Sequence, residues 1–407
     1  MIKCKLKELL TIKNGKDHKD LPDGKIPVYG SGGLMRYVNE FLYDKESILL
    51  PRKGTLSNIQ YVNTPFWTVD TLYYTVVDTK KVNAFYLYYL IKQFDLSNLN
   101  TGTGVPSMTF DAYYDLEVCI PSIEVQNKIA DILKSLDSKI ALNNHINAEL
   151  ETMAKTVYDY WFVQFDFPAP SPSGRAGVGS PYKSSGGKMV WSEELKREVP
   201  VGWEVKPLDK IIETIIDHRG KTPLKLGGDW AQDKNGIIAL SAKHVKGGKL
   251  IKLDEANVVT FEMFEKWMSS NKLQEGDILM TSEAPCGEFY LILKDTDYCL
   301  SQRLFAIRAN QSIVKSNYLY FELSKGNGYS QILGKQSGST VFGIRQDELR
   351  TVNVLIPDFK LQELFQKQVT PMLYQIRNNE QENQQLSSLR DWLLPMLMNG
   401  QVKVSEL

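Results

Sequence analysis

Cysteine and histidine are scarce in this 407-residue chain, with four of each. Cys4, Cys119, Cys286 and Cys299 are scattered without a C-x-x-C pair, which argues against a disulfide framework and a cysteine zinc site; they read as small buried residues. His18, His145, His218 and His244 have no cysteine or carboxylate cluster at metal-ligand spacing. No apolar run is long enough to cross a membrane, and no apolar segment follows Met1-Ile2-Lys3, so a cytoplasmic protein without a membrane partner is expected. Charge of one sign is also lacking: 48 Lys and Arg balance 48 Asp and Glu. Residues 1–118 carry 14 basic and 13 acidic side chains, and 198–357 carry 20 of each. Neither half is a basic domain, so any nucleic-acid binding has to come from a local patch, where phosphate contacts dominate affinity.

Catalytic signatures are missing as well. There is no G-x-S-x-G and no H-E-x-x-H, and short strings such as Asp23-Gly24-Lys25 and Glu204-Val205-Lys206 are too common to mark a nuclease. Gly328 to Gln336 superficially resembles a phosphate-binding loop, but its glycines are misplaced and Gln336 replaces the hydroxyl residue that would hold magnesium. The chain reads as non-catalytic, with no cofactor of its own.

What is present is a repeat. From Ile129, alternating steps of four and three give Leu133, Leu136, Ile140, Asn143, Asn147, Leu150, Ala154, Val157 and Trp161, a heptad seam on a helix, and neither Gly nor Pro interrupts Ser122 to Phe167. Adding 236 to each number gives Phe365, Val369, Met372, Ile376, Asn379, Asn383, Leu386, Arg390, Leu393 and Leu397. One such stripe is ordinary for a buried helix. Two copies, each with a central asparagine pair, are what two zipped helices with a polar register layer require. The same offset matches Val105 with Val341, Asp111 with Asp347, Ile120-Pro121 with Ile356-Pro357 and Gln126 with Gln362. With small shifts, Leu72-Tyr73 faces Leu304-Phe305 and Tyr86-Leu87-Tyr88-Tyr89 faces Tyr318-Leu319-Tyr320-Phe321. A period this long is a duplicated domain.

The spacing of β-branched and aromatic runs predicts strands over 47–50, 58–62 and 71–77 and a helix over 84–93, with 13–25 and 30–33 as long polar turns. Residues 169–188, rich in Pro, Gly and Ser, read as a connector that packs only through Tyr182 and Trp191. Where the halves share scaffold they match, and where loops project they differ. That suits two readers of two different sequences, because base contacts specify while scaffold contacts position. Solvated loop decoration is the plainer reading of the same side chains.

Two half-length repeats, each with Ile-Pro, then Gln, then a long helix, resemble the specificity subunit of Type I restriction-modification systems. Trp161 to Pro168 and Pro181 to Met189 are similar to that family's central region. The resemblance implies an α+β fold: two pseudo-symmetric target recognition domains, at 1–120 and 198–356, joined by antiparallel long helices at 121–165 and 357–400. The connector is then 166–197, and 401–407 is a tail. It also implies double-stranded DNA with an asymmetric bipartite site, two modification (methyltransferase) subunits docked on the helices, and restriction (motor-nuclease) subunits joining them. Methyl donor and ATP would be bound by those partners. Pro371, Pro395 and the seam residue Arg390 depart from the first helix's pattern.

On this reading Arg52, Lys53, Asn58, Arg219, Lys243, His244, Gln302 and Arg303 are assigned to base edges, and Thr103, Ser107, Ser339, Thr340 and Arg345 to phosphates. Antiparallel pairing puts Asn143 by Asn383 and Asn147 by Asn379, and the second helix is expected to bend at Pro371 and fray near Pro395. The seam, about 48 Å long at ~1.5 Å per residue, would fix the gap between half-sites. The alternative is a non-enzymatic coiled-coil scaffold with two protein- or glycan-binding domains. A self-sufficient methyltransferase or nuclease lacks the motifs.

Overall fold

The computed structural model describes residues 1–96, 106–169, 180–233, 235–269, 271–338 and 342–402. It divides into two compact units, Met1–Asn143 with Gln381–Leu407, and Asn144–Glu380. Both divisions cut the long helices, Ile123–Tyr158 and Phe359–Met398, at their asparagine-rich middles. The first helix ends in a π-turn, Asp159–Val163, that buries Trp161 and Phe162.

Each unit holds an antiparallel segment of the helix pair. In the first, Ile129, Ala130 and Leu133 share a core with Leu397 and Met398, and Asn143 donates to Asn383 at 2.9 Å. In the second, Asn379 donates to Asn147 at 2.8 Å, and Phe365 meets Tyr158 and Trp161 at ring separations of 6.3 and 6.1 Å. Residue numbers rise along one helix as they fall along the other, and apolar seam positions are buried because they face each other.

Arg390 fits the seam because its opposite number is acidic. Its guanidinium lies 3.0 Å from an Asp137 oxygen, and Tyr89 donates to the other Asp137 oxygen at 2.5 Å. The second helix does not fray at Pro395 but runs on to Met398, and it is continuous through Pro371. Pro371 and Pro395 are exposed, as are Lys367 and Asp391, whose carbonyls lose their usual helical donor. Water can satisfy those carbonyls, so proline breaks no turn where it faces solvent.

The duplication is visible strand by strand. In the first unit an antiparallel sheet runs Leu10–Lys13, Leu72–Val77, Ser47–Pro51, Gln60–Val62; in the second the order is Ile212–Asp217, Leu304–Ala309, Ile278–Thr281, Phe289–Leu291. The predicted strands and the helix Ala84–Lys92 lie in this sheet and against it. Each unit adds a three-stranded sheet with one parallel pair, Val28 to Trp67 in the first and Ala239 to Cys299 in the second. Each also has a two-stranded pairing that leads into its long helix, Ile2–Lys5 with Glu117–Ile120 and Glu204–Pro207 with Asn353–Ile356. The hairpin Asp23–Gly30 with Gly33–Val38 has the expected polar turn at 30–33 as its tip and follows the irregular stretch 14–22, while its two strands go beyond the sequence expectation.

The repeated glutamines tie these joints. Fully buried Gln126 accepts from the Asn83 amide at 2.9 Å and donates to the Pro121 carbonyl at 2.9 Å; Gln362 does the same with Lys315 and Pro357. A buried amide that satisfies two backbone groups fixes the angle at which sheet meets helix.

The connector packs more than its composition predicts. Tyr182 stacks on Phe167 at 4.6 Å, whereas Trp191 is 54% exposed, so its expected packing role falls to others. Phe165 and Phe167 gather with Val199, Trp203 and Leu355, and Arg197 lies over the Phe165 ring at 4.6 Å.

Candidate functional site

The ends of the two equivalent four-stranded sheets open into clefts at corresponding places. In the first unit, Asn14 leaves one strand, Arg52 and Lys53 leave another, and Ser107 closes the side by bridging to Lys53. With Tyr73 and Phe110 they line a cleft of about 370 Å³. In the second unit, Asp217 ends its strand, Glu283 follows Ile278–Thr281, and Gly343 bridges to Glu283. Ser107 and Gly343 are again 236 apart. This second cleft, about 400 Å³, is lined by Asp217, Arg219, Gly220, Glu283, Gln302 and Arg303.

The contents differ as sharply as the frames agree. Arg52 donates to the Asp70 carbonyl at 3.2 Å, and Lys53 is exposed with no ion-pair partner among the described residues. The first cleft therefore presents unneutralised positive charge. In the second, both arginines are held by carboxylates. Arg219 Nε lies 2.9 Å from Asp217 Oδ1 and Nη2 lies 2.8 Å from Oδ2, while its guanidinium sits 4.3 Å above the Phe305 ring centre. Arg303 Nε is 3.1 Å from Glu283. Burial works to raise the Asp217 pKa, but the Arg219 hydrogen bonds and charge outweigh it and hold the carboxyl below its usual range.

Arg303 has φ +60°, and Ala284, next to Glu283, has φ +52°. Side chains with a Cβ rarely adopt this left-handed backbone, and such strain clusters where a side chain must be aimed.

Of the base-edge candidates, Arg52, Lys53, Arg219, Gln302 and Arg303 are brought into the clefts. Asn58 instead donates to the Ser31 carbonyl at 2.8 Å and pins a loop. Lys243 is exposed on a short 3-10 turn outside the second cleft. His244 is withdrawn from the surface: it is 1% exposed, and its Nδ1 accepts the Ser241 amide at 2.9 Å, capping that turn. Burial lowers its pKa, as it does for His218. Among the phosphate candidates Ser107 lines the first cleft, and Arg345 is an exposed residue at the start of the helix Gln346–Arg350. Thr103, Ser339 and Thr340 lie outside the described residues.

Sequence reasoning passed over Asn14 and Asp217, and marked Glu283 only as a polar loop residue without assigning it a role. Comparing strand ends between the repeats would have found them, since each leaves a strand at a matched point of the duplicated sheet. Of the four cysteines expected to be buried, only Cys299 is; Cys4 and Cys286 are half-buried and Cys119 is exposed, and burial pushes the Cys286 and Cys299 thiols up to about 11 and about 12, so neither is a poised nucleophile. Among the described residues no His, Cys, Asp or Glu group is placed to hold a metal ion, and no helix is long and apolar enough to cross a membrane.

The chain matches the family model of the Type I restriction modification DNA specificity domain twice, over residues 2–152 and 200–388. It is 24% identical over 371 residues to the Type I restriction enzyme MjaIX specificity subunit of Methanocaldococcus jannaschii, spanning 90% of this chain and 80% of that one. It is 25% identical over 337 residues to the HindI specificity subunit of Haemophilus influenzae, spanning 73% and 71%. Its fold is similar to the crystal structure of a Type-I restriction-modification system S subunit from M. genitalium, with a TM-score of 0.62, 15% identity, and coverage of 97% and 95%.

Proposed function

Because this chain belongs to the family of Type I restriction modification DNA specificity domains, we propose that its two units each read one half of an asymmetric, bipartite site in double-stranded DNA. The observation that carries this reading is the pair of clefts at equivalent sheet ends with unlike contents: Asn14, Arg52 and Lys53 against Asp217, Arg219, Glu283 and Arg303. Equal frames give equal approach to a duplex, while unequal side chains give different base preferences.

The chain performs no catalysis in this reading. Two modification subunits dock on the helix pair and bring the methyl donor; restriction subunits join them and bring ATP. In the first cleft Arg52, Lys53 and Ser107 provide charge and donors for phosphate and base contacts. In the second, the carboxylate-held arginines contribute direction rather than net charge. The near-zero net charge of the chain agrees with recognition through local patches.

The test is a methylation-site map of the complex reconstituted with its modification subunits, together with a gel shift of the same complex at two salt concentrations. Expected are two short specified runs separated by a fixed gap, and binding that weakens steeply with salt. A single continuous site, or binding indifferent to salt, would refute the proposal and favour a scaffold whose domains bind protein or glycan.

A further inference from the structure

Resting on the DNA-reading function proposed above, we infer that Arg219 reads guanine in the half-site assigned to the second unit, and that Asp217 is the positioning residue that makes it selective. Asp217 ends its strand opposite Phe305, in direct register. Two residues on, the chain folds back, and Asp217 Oδ1 also accepts the Arg219 main-chain amide at 3.1 Å. The guanidinium is thereby fixed along one edge, by both carboxylate oxygens, and on one face, by the Phe305 ring beneath it.

A guanidinium has five N–H groups. The carboxylate uses Nε–H and one Nη2–H, which leaves the outward, parallel pair on Nη1 and Nη2 free. Two parallel donors match the O6 and N7 acceptors of guanine; adenine offers N7 beside an N6 donor and repels the second. A phosphate would also accept this pair, but the Asp217 charge cancels the arginine's, so the fork contributes little to the counterion release that drives phosphate binding. The carboxylate sacrifices attraction and keeps direction. That combination suits a base edge, where geometry decides, better than the backbone, where charge decides. The arrangement lines an open cleft, with 34% of the Arg219 side chain exposed.

The first unit does not repeat the device. Lys13 pairs with Tyr74, so Asn14 and Tyr73 hold the next positions, where the second unit has Asp217 and Phe305. Lys16, two residues beyond Asn14, is tied by its main chain to Thr68 and Trp67. The carboxylate-held fork, and the guanine it reads, therefore belong to one half-site.

The test uses the full chain in the reconstituted complex. Methylation maps are taken for the wild type and for R219A, R219K and D217N, with 7-deazaguanine, which lacks the N7 acceptor, placed at the implicated position. Discrimination at a single G·C pair of one half-site should fall about 10- to 100-fold in R219A and R219K alike. D217N should lower it at the same pair by less, and 7-deazaguanine should cost the wild type discrimination but leave R219A unchanged. Full preference at the other half-site controls for folding, and R219K controls for charge. A loss at an A·T pair, an equal loss across all sequences, or no effect of 7-deazaguanine would overturn the guanine assignment while leaving DNA reading intact. A wild-type complex with no sequence preference would overturn the underlying function itself.

Discussion

Replacing Arg303 separates what its side chain does from what its backbone costs. At φ +60° an L-residue carries about 1–2 kcal/mol of steric strain that glycine does not. Glycine also loses about 0.4–1 kcal/mol more conformational entropy than alanine on folding. The difference is a net of about 0.8 kcal/mol in favour of R303G over R303A. The ion pair to Glu283 is lost in both variants, and with side chains 51% and 37% exposed it contributes about 0–1 kcal/mol, so it cancels in the comparison. The Ser282 amide bond to the Arg303 carbonyl at 2.9 Å survives in both. R303G should therefore melt about 2–3 °C above R303A by scanning calorimetry, given the size of the second unit. In the methylation map both variants should relax the same base pair by about 1–3 kcal/mol of discrimination, because both lack the guanidinium. If R303G is no more stable than R303A, the strain argument is wrong. If binding falls equally for every DNA sequence, Arg303 contacts phosphate.

Deleting one heptad from each helix, Asn143 to Glu149 with Asn379 to Gln385, removes about 10 Å of rise from each and should shorten the unread gap by around three base pairs. Half-site sequences should stay as they are in the methylation map, and an unchanged gap would place the ruler elsewhere. Arg390→Leu should destabilise the first unit by about 1 kcal/mol despite making the seam apolar, because Asp137 loses its cation; adding Asp137→Leu should recover it in a double-mutant cycle. His218 and His244 have folded pKa values below their usual 6.5, so the unfolded chain takes up protons first as pH falls. Stability should decline from about pH 6.5 downward, by at most about 1.4 kcal/mol per pH unit per histidine, and urea melts of H244N should show a shallower decline.

The helix pair was legible because a seam needs apolar residues at fixed spacing whatever else the chain does, and the 236-residue offset marked its partner. Gln126 and Gln362 were legible as a match, though not as joints, since their partners are main-chain groups with no side-chain signature. The hairpin Asp23–Gly30 with Gly33–Val38 was hidden by irregular pairing between Asp23 and Ile26 and between Val28 and Tyr29, which breaks the two-residue alternation. Helix-breaking at Pro395 was overestimated because propensity does not say which face meets water. In the clefts, Arg52 and Lys53 stood out as cations after a strand. Asp217 did not, because an acid two residues before an arginine becomes a fork only when the chain folds back across Phe305. His244 was misjudged for the converse reason: its turn bends inward, and the ring serves the Ser241 amide.

The division of the chain through both long helices bears on the order of its synthesis. The second unit is one continuous stretch, Asn144–Glu380, so every residue it needs has been made before the C-terminus is reached. The first unit borrows Gln381–Leu407, and Leu397 and Met398 cover Ile129, Ala130 and Leu133. Of the two units, the one whose synthesis starts earlier is thus the one completed later, a reversal of the usual N-terminal-first order. Until those closing residues emerge, the apolar stripe on the first helix stays uncovered, and a nascent chain stalled before Gln381 would carry a finished second domain beside an open first one.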